Sequence, residues 1–300
     1  MRLLFTGSGW LPIVEMIAAR LPAGATLARW DRAVPLADAI ADVDVLLPSN
    51  AKITPEVIHA ATKLRLVQQP AAGTEQIDRG SLVERGIPLC NAPGTNHVSV
   101  AECALFLLLS LARRAPIAAQ RLRERVVGEP LGFELAGRTL GVIGMGRAGT
   151  ALAERATALG MQVRALRRGA SDADRAAFFA ACDAISIHCP LTPETRGLVD
   201  ARAFAAMRDG ALVVNVARGG VIDRAALVDA LASGRLGGVG LDVHWSEPPN
   251  PDDALYRDPR VVALPHVAGS TIEAFTRITD VVVENLGRLE RGEPLLHRVI

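Results

Sequence analysis

Thr139-Leu140-Gly141-Val142-Ile143-Gly144-Met145-Gly146-Arg147-Ala148-Gly149 is the stretch on which the fold turns. Residues 139–143 form a short apolar run, and the glycine turn after them opens into a helical pattern over 148–159. Gly144 permits a tight turn off a strand, Gly146 lets the backbone approach a pyrophosphate, and Gly149 lets a helix pack close to the sheet. Free N–H groups at the start of that helix would face the phosphates. A G-x-G-x-x-G match alone is weak, because glycines are common in turns. Its place between a strand and a helix gives it weight over an ordinary strand-to-helix turn. Gly144, Met145, Gly146, Arg147, Ala148 and Gly149 therefore read as a dinucleotide cradle.

The pattern repeats on both sides of this stretch. Downstream, strands are expected at 162–166, 184–188, 212–216, 239–241 and 261–263. Upstream, apolar runs at 2–5, 25–28, 43–47 and 64–68 alternate with helical spacing at 11–21 and 55–62, where Pro55 suits a first turn after Thr54. Such alternation implies parallel sheets covered on both faces, and two runs of it imply two α/β domains. Residues 98–125, rich in Ala, Leu and Arg, read as a long helix whose first part Pro116 kinks or ends; residues 271–291 read as a final helix. Three hundred residues, half of them apolar, suit this organisation.

Several function classes are disfavoured. A net charge of +1 argues against an electrostatic design for nucleic acid or an anionic membrane. No apolar stretch is long enough and free enough of charge to span a bilayer. Gly7, Gly9 and Pro12 interrupt the apolar N-terminus early, so it reads as a buried strand rather than a secretion signal. Cys90, Cys103, Cys182 and Cys189 lack metal-ligand spacing and lie in or beside apolar sequence. The expectation is a cytoplasmic protein with reduced cysteines and no metal.

The end of the second strand of a dinucleotide domain governs which dinucleotide fits. An acid there accepts from the adenosine ribose hydroxyls and repels a 2′-phosphate. Here the sequence reads Val163-Arg164-Ala165-Leu166-Arg167-Arg168-Gly169, with no acid until Asp172. Guanidinium groups pair bidentately with phosphate, so NADP is preferred over NAD, with Arg167 and Arg168 as ligands. A solvated basic turn is the competing reading for either arginine singly.

Three later segments carry charge where strands should end: Asn215-Val216-Ala217-Arg218-Gly219-Gly220, Leu241-Asp242-Val243-His244-Trp245-Ser246-Glu247, and Pro265-His266-Val267-Ala268-Gly269-Ser270-Thr271. Ligands collect at the carboxyl ends of strands in open α/β sheets, so these segments should converge. An arginine, a glutamate and a histidine together suit reduction of a 2-keto acid. The histidine gives a proton to the carbonyl oxygen as hydride reaches carbon. A carboxylate beside it favours the imidazolium. The arginine holds the substrate carboxylate and polarises the keto group.

With these segments the sequence resembles the D-isomer-specific 2-hydroxyacid dehydrogenases, in particular the glyoxylate/hydroxypyruvate reductases. The resemblance covers nearly the whole chain. It is carried by 141–149, by His188-Cys189-Pro190-Leu191-Thr192, by 215–220 and by 265–271. It implies Arg218, Glu247 and His266 as catalytic, and Asp242 near the nicotinamide carboxamide. It also implies Cys189-Pro190 on the adenosine side, with Val216, Ala217 and Gly269 as further cofactor contacts. The backbone of Pro70-Ala71-Ala72-Gly73 would hold the substrate carboxylate, with Ala72, Gly73, Asn96 and Arg218 as substrate contacts. The implied architecture is two doubly wound parallel-sheet domains. One is a Rossmann dinucleotide-binding domain over 98–282; the other is a flavodoxin-like substrate domain over 1–97 and 283–300. A homodimer joined through helices near 98–125 is also implied.

Two departures from the family pattern stand out. The acid after the second cofactor-domain strand is missing, and His244-Trp245 replaces the more usual Phe and polar pair. His59, His97, His244 and His297 read as surface or packing residues, His188 as packing beside the cofactor loop, and Glu102 as an ion-pair or helix-start residue. Two other functions compete. One is a dinucleotide-sensing regulatory protein of the same fold, as in the corepressors that resemble it. The other is a phosphoglycerate-type dehydrogenase, expected from the end at Ile300 to be a short one without the C-terminal regulatory domain such enzymes often carry. A phosphite-oxidising relative stays open, whereas formate dehydrogenases carry Gln where Glu247 stands.

Overall fold

The computed structural model describes all residues from 1 to 300. Its contacts divide the chain into two units, Met1–Asn96 with Ser270–Ile300, and His97–Gly269.

The first unit is built on five parallel strands: β1 (Arg2–Phe5), β2 (Thr26–Arg29), β3 (Val45–Leu47), β4 (Leu66–Gln68) and β5 (Leu89–Cys90). Their order is β2-β1-β3-β4-β5. The central strands β3 and β4 are buried apolar runs, as a strand covered on both faces requires. One face packs Leu4, Leu46 and Val67 against Ile53, Val57, Ile58 and Leu82. The other packs Leu3, Phe5, Val45 and Leu66 against Ile13 and Ile17 of helix Leu11–Ala18 and against the final helix, Ile272–Arg291. That helix offers Phe275, Ile278, Val282 and Leu286 at helical spacing, so its apolar stripe belongs to this unit along its whole length. The boundary expected at 282–283 falls inside the helix. Thr271 caps its start by accepting from the Ala274 N–H, and Gly292 ends it at φ 68°. Within this core the Asn285 amide donates to Gln68 Oε1 at 2.6 Å, tying the helix to β4.

The second unit has six parallel strands: β6 (Thr139–Ile143), β7 (Gln162–Leu166), β8 (Ala184–Ile187), β9 (Ala211–Asn215), β10 (Leu236–Leu241) and β11 (Val261–Ala263). The order is β11-β10-β9-β8-β6-β7. The winding reverses between β6 and β8, which makes the end of β6 the switch point where ligands collect in such sheets. The segment after β7 forms helix Asp172–Ala181, with a reciprocal capping box between Ser171 and Asp174, and leads straight into β8. Helices His97–Ala112 and Arg147–Ala158 cover one face, burying Leu107, Leu108 and Leu152 against Leu140, Val142 and Val214. Phe178, Phe179, Phe204 and Leu227 fill the other.

Strands 2–5, 139–143, 162–166 and 261–263 lie where the sequence places them. The expected long helix over 98–125 is two helices, His97–Ala112 and Ala115–Arg123. Arg114 sits in the left-handed region at φ 50°, and Pro116, in the first turn of the second helix, lacks the N–H that continuation would need. β5, only two residues long, has no sequence forecast, and β10, expected at 239–241 because Gly237-Gly238 resembles a turn, begins at Leu236. At Gly237 a Cβ would lie 2.4 Å from the Gly210 carbonyl oxygen, so the glycine there permits close strand packing. No helix is long and apolar enough to cross a membrane.

Candidate active site

The glycine loop leaves β6 with Gly144 at φ 98°, a conformation that favours glycine. A Cβ on Gly144 would lie 2.6 Å from the Cys189 nitrogen, so the loop is pressed against the end of β8. At Gly149 a Cβ would meet the Gly144 carbonyl oxygen at 2.1 Å, which only glycine permits in so close a helix. At Gly146 the opposite holds: nothing lies within 4 Å of where a Cβ would be. Gly146 is also the N-cap of helix Arg147–Ala158, and no side chain caps that helix. A bare, uncapped helix start beside open space is the environment a pyrophosphate requires, and these residues fit a dinucleotide.

Arg167 and Arg168 are exposed in the turn after β7. The acids that follow are engaged elsewhere: Asp174 in the capping box with Ser171, and Asp172 with Arg175 at 3.8 Å. On the β8 side, Cys189 is buried and Pro190 exposed. His188 contacts Ser186 Oγ through Nε2 at 2.9 Å, and its Nδ1 is buried without a partner. Burial lowers its pKa to about 4, so this histidine is neutral.

The three charged segments at the ends of β9, β10 and β11 come together. Asn215, fully buried, splints the first: its amide donates to the Arg218 carbonyl at 2.9 Å, and its oxygen accepts from the Ala217 N–H at 3.0 Å. Arg218 is extended, and its Nη1 donates to the Ala217 carbonyl at 2.7 Å. Gly219 then touches the second segment. A Cβ there would lie 2.2 Å from the His244 carbonyl oxygen, so a side chain at 219 would force the Arg218 and Glu247 loops apart.

In the second and third segments, His266 Nδ1 donates to Glu247 Oε2 at 2.7 Å. A carboxylate only accepts, so the Nδ1 carries a proton and Nε2 is the ring's other working atom. Burial alone would push the Glu247 carboxyl up. The hydrogen bond and charge of His266 outweigh burial and hold it below its ordinary value. His266 lies at φ 56°, left-handed for a residue with a Cβ, a conformation that costs about 1–3 kcal/mol unless its surroundings enforce it. Enforcement comes from Asp242, whose two oxygens accept from the Val267 and Ala268 N–H groups at 2.7 and 2.9 Å. Asp242 is fully buried, and burial raises its carboxyl above the usual range. The structure thus gives it a definite task, holding the His266 turn.

His244, read from sequence as surface or packing, is 7% exposed and bonded on every polar atom of its ring. Its partner Tyr256, the chain's single tyrosine, has no sequence signal beyond its position in a short turn after an acid-rich loop. Glu102 pairs with Arg155 at 3.3 Å, an ion-pair role.

In the first unit, the loop after β4 turns its carbonyls inward. Ala71, Ala72 and Gly73 accept from the Ala92 N–H, the Asn91 amide and the Gln69 amide at 3.0, 2.8 and 2.8 Å. Asn96 is half-buried at the end of this unit's N-terminal portion.

Residues 105–268 match the family described as D-isomer specific 2-hydroxyacid dehydrogenase, NAD binding domain. The chain is 38% identical over 267 residues to a D-3-phosphoglycerate dehydrogenase of Archaeoglobus fulgidus, covering 85% of this chain and 51% of that protein. It therefore spans about half the length of that relative. It is also 38% identical to a hydroxypyruvate reductase of Thermotoga maritima, over 82% of this chain and 85% of that one. Among solved structures, the TT0316 protein from Thermus thermophilus superposes with a TM-score of 0.90 at 33% identity, over 100% of both chains. Sequence motifs, two parallel sheets and these likenesses agree, and the chain belongs to the D-isomer specific 2-hydroxyacid dehydrogenase family.

Proposed function

We propose that this chain is an oxidoreductase that reduces a small 2-keto acid, such as glyoxylate or hydroxypyruvate, to the 2-hydroxy acid, with NADPH preferred to NADH. The observation that carries the proposal is the 2.7 Å His266–Glu247 pair, with the Arg218 loop packed on the Glu247 loop through Gly219. A reduced nicotinamide, when bound, would supply the hydride for the keto carbon. His266 Nε2 gives the carbonyl oxygen its proton, and Glu247 stabilises the imidazolium that donates it. Arg218 polarises the carbonyl and binds the carboxylate. In the first unit, the 71–73 loop commits its carbonyls inward, which leaves backbone N–H groups of Ala72 and Gly73 to bind an anion such as that carboxylate. Gly144–Gly149 bind the pyrophosphate. Asp242, Val216, Ala217 and Gly269 would border a bound nicotinamide, and Cys189-Pro190 its adenosine.

A panel of keto acids assayed with both dinucleotides tests this. Turnover of at least one, with NADPH favoured, is the expected result; absence of turnover beside tight dinucleotide binding would point to a sensor instead. Changing both Arg167 and Arg168 to Ser should lower kcat/KM for NADPH by about tenfold to a hundredfold, about 1.4–2.7 kcal/mol, and leave NADH nearly unchanged. An equal loss with both dinucleotides would remove the 2′-phosphate assignment.

The same proposal includes a homodimer through the paired helices His97–Ala112 and Ala115–Arg123. Phe106, Leu109 and Leu122 are exposed on them, and Val127 and Leu131, at 96% and 83% exposure, follow at once. A patch of this kind favours a self-complementary contact. Sedimentation equilibrium should return twice the chain mass, and Leu122→Glu with Val127→Glu should return the monomer. A wild-type monomer at micromolar concentration would rule the dimer out.

A further inference from the structure

His244 is held through its ring by Leu264 and Tyr256 and through its backbone N–H by Glu247. Its Nε2 lies 2.8 Å from the Leu264 carbonyl oxygen. A carbonyl only accepts, so this nitrogen bears the proton. Nδ1 is then the acceptor, and it takes the Tyr256 hydroxyl at 2.8 Å. The two rings meet edge to face, with centroids 5.3 Å apart. The backbone N–H of His244 donates to Glu247 Oε1 at 3.3 Å, the oxygen that His266 does not use.

The position of Leu264 gives these bonds their meaning. Its N–H ends the β11 ladder on the Leu241 carbonyl at 2.7 Å, and Pro265 after it has no N–H to offer. The chain then enters the left-handed conformation at His266 and is caught again by Asp242 at Val267 and Ala268. The turn from 264 to 268 is therefore pinned at both ends, by the His244 ring before His266 and by Asp242 after it. Tyr256, from the short turn Ala254–Arg257, fixes which face of the His244 ring points at Leu264. The groups charged or titratable around this cluster are Glu247, Asp242, His266 and Tyr256, with Asp253 and Arg224 beyond the tyrosine and the Cys103 thiol beside Asp242.

We propose that His244, oriented by Tyr256, is a positioning residue: it sets the strained backbone of His266 and the rotamer of Glu247, and touches neither substrate nor cofactor. This rests on the reading of His266 as proton donor given above, but the geometry it concerns can be measured without turnover. Phenylalanine, the more usual residue of the family here, would fill the space of the ring but leave the Leu264 carbonyl and the Tyr256 hydroxyl without the partner this chain's turn relies on; a glutamine would restore a donor to the Leu264 carbonyl.

The test follows the His266 ring by NMR titration in wild type, His244→Phe, His244→Gln and Tyr256→Phe, its signal identified by its absence in His266→Ala. Circular dichroism and the dinucleotide Kd report on folding. In H244F the titration midpoint should move to lower pH, because a His266 ring displaced from Glu247 is stabilised less as the imidazolium. H244Q should return it toward wild type, and Y256F should move it in the same direction as H244F by less. In keto-acid assays kcat should fall by about tenfold to a hundredfold in H244F, as displacement of a catalytic group by about an ångström would cause, with KM within about threefold. The alkaline fall of the reduction rate should shift with the midpoint. An unchanged midpoint in H244F and Y256F would overturn the proposal, as would a fall that H244Q does not reverse. Should H244F fail to fold, Y256F and H244Q decide by the same criteria. Should the wild type reduce no keto acid while the midpoint still moves, the activity proposal falls and the positioning role stands.

Discussion

Changing His266 to alanine is expected to lower kcat for keto-acid reduction by about 10²–10⁴-fold, the range a well-placed general acid contributes, while the dinucleotide Kd stays the same. The expectation follows from three features of the site. The ring is partly exposed, and Nδ1 is committed to Glu247 at 2.7 Å. The backbone that carries the ring is held in an unfavourable conformation by Asp242, which suggests that its direction matters more than its comfort. The glycine loop is on other strands, so phosphate binding should be untouched. Stopped-flow hydride transfer and fluorescence titration with NADPH check the two halves. A variant that retains rates within a few-fold of wild type would mean that another group, or water, donates the proton.

Arg218→Ala should be as severe in a different manner. Loss of the guanidinium removes a charge-assisted anchor for the carboxylate and the dipole that polarises the keto oxygen. Both kcat and KM should suffer, with kcat/KM down by about 10³-fold or more. Arg218→Lys should recover only a small part, because an ammonium lacks the planar fork. The loop should survive either change. Its shape comes from the Asn215 side chain and from Gly219 against the His244 backbone, not from the arginine's own side chain. Steady-state kinetics with wild type, alanine and lysine forms, with thermal melting as the control, would show this. A rise in KM with kcat preserved would reduce Arg218 to ground-state binding.

Much of this arrangement is legible in the residues. The run 139–149 announces strand, turn and helix in order; close contacts require glycine at Gly141, Gly144 and Gly149, while Gly146 faces open space. The strands 162–166 and 261–263 were legible because turn residues bound them on each side. β10 was only half legible, since Gly237-Gly238 resembles a turn until the Gly210 backbone is seen against it. Arg218, Glu247 and His266 could be proposed because each lies in a segment that follows a strand, and the fold brings the ends of β9, β10 and β11 together. His244 could not. Its significance lies in partners 12 and 20 residues away, Tyr256 and Leu264, and in a backbone N–H whose direction no side-chain pattern reveals. Asp242 presents a similar limit: its charge is plain in the sequence, but both of its oxygens are used on the backbone of the turn that follows β11.

The reversal of winding between β6 and β8 has a consequence for how such a protein can change over time. The cradle and the arginines that would select the dinucleotide hang from β6 and β7, on one side of the reversal. The residues proposed for chemistry hang from β9, β10 and β11, on the other. Substitutions that retune which dinucleotide is accepted can accumulate on the first side without disturbing proton transfer on the second. The sheet in this way separates two traits that selection can then adjust one at a time.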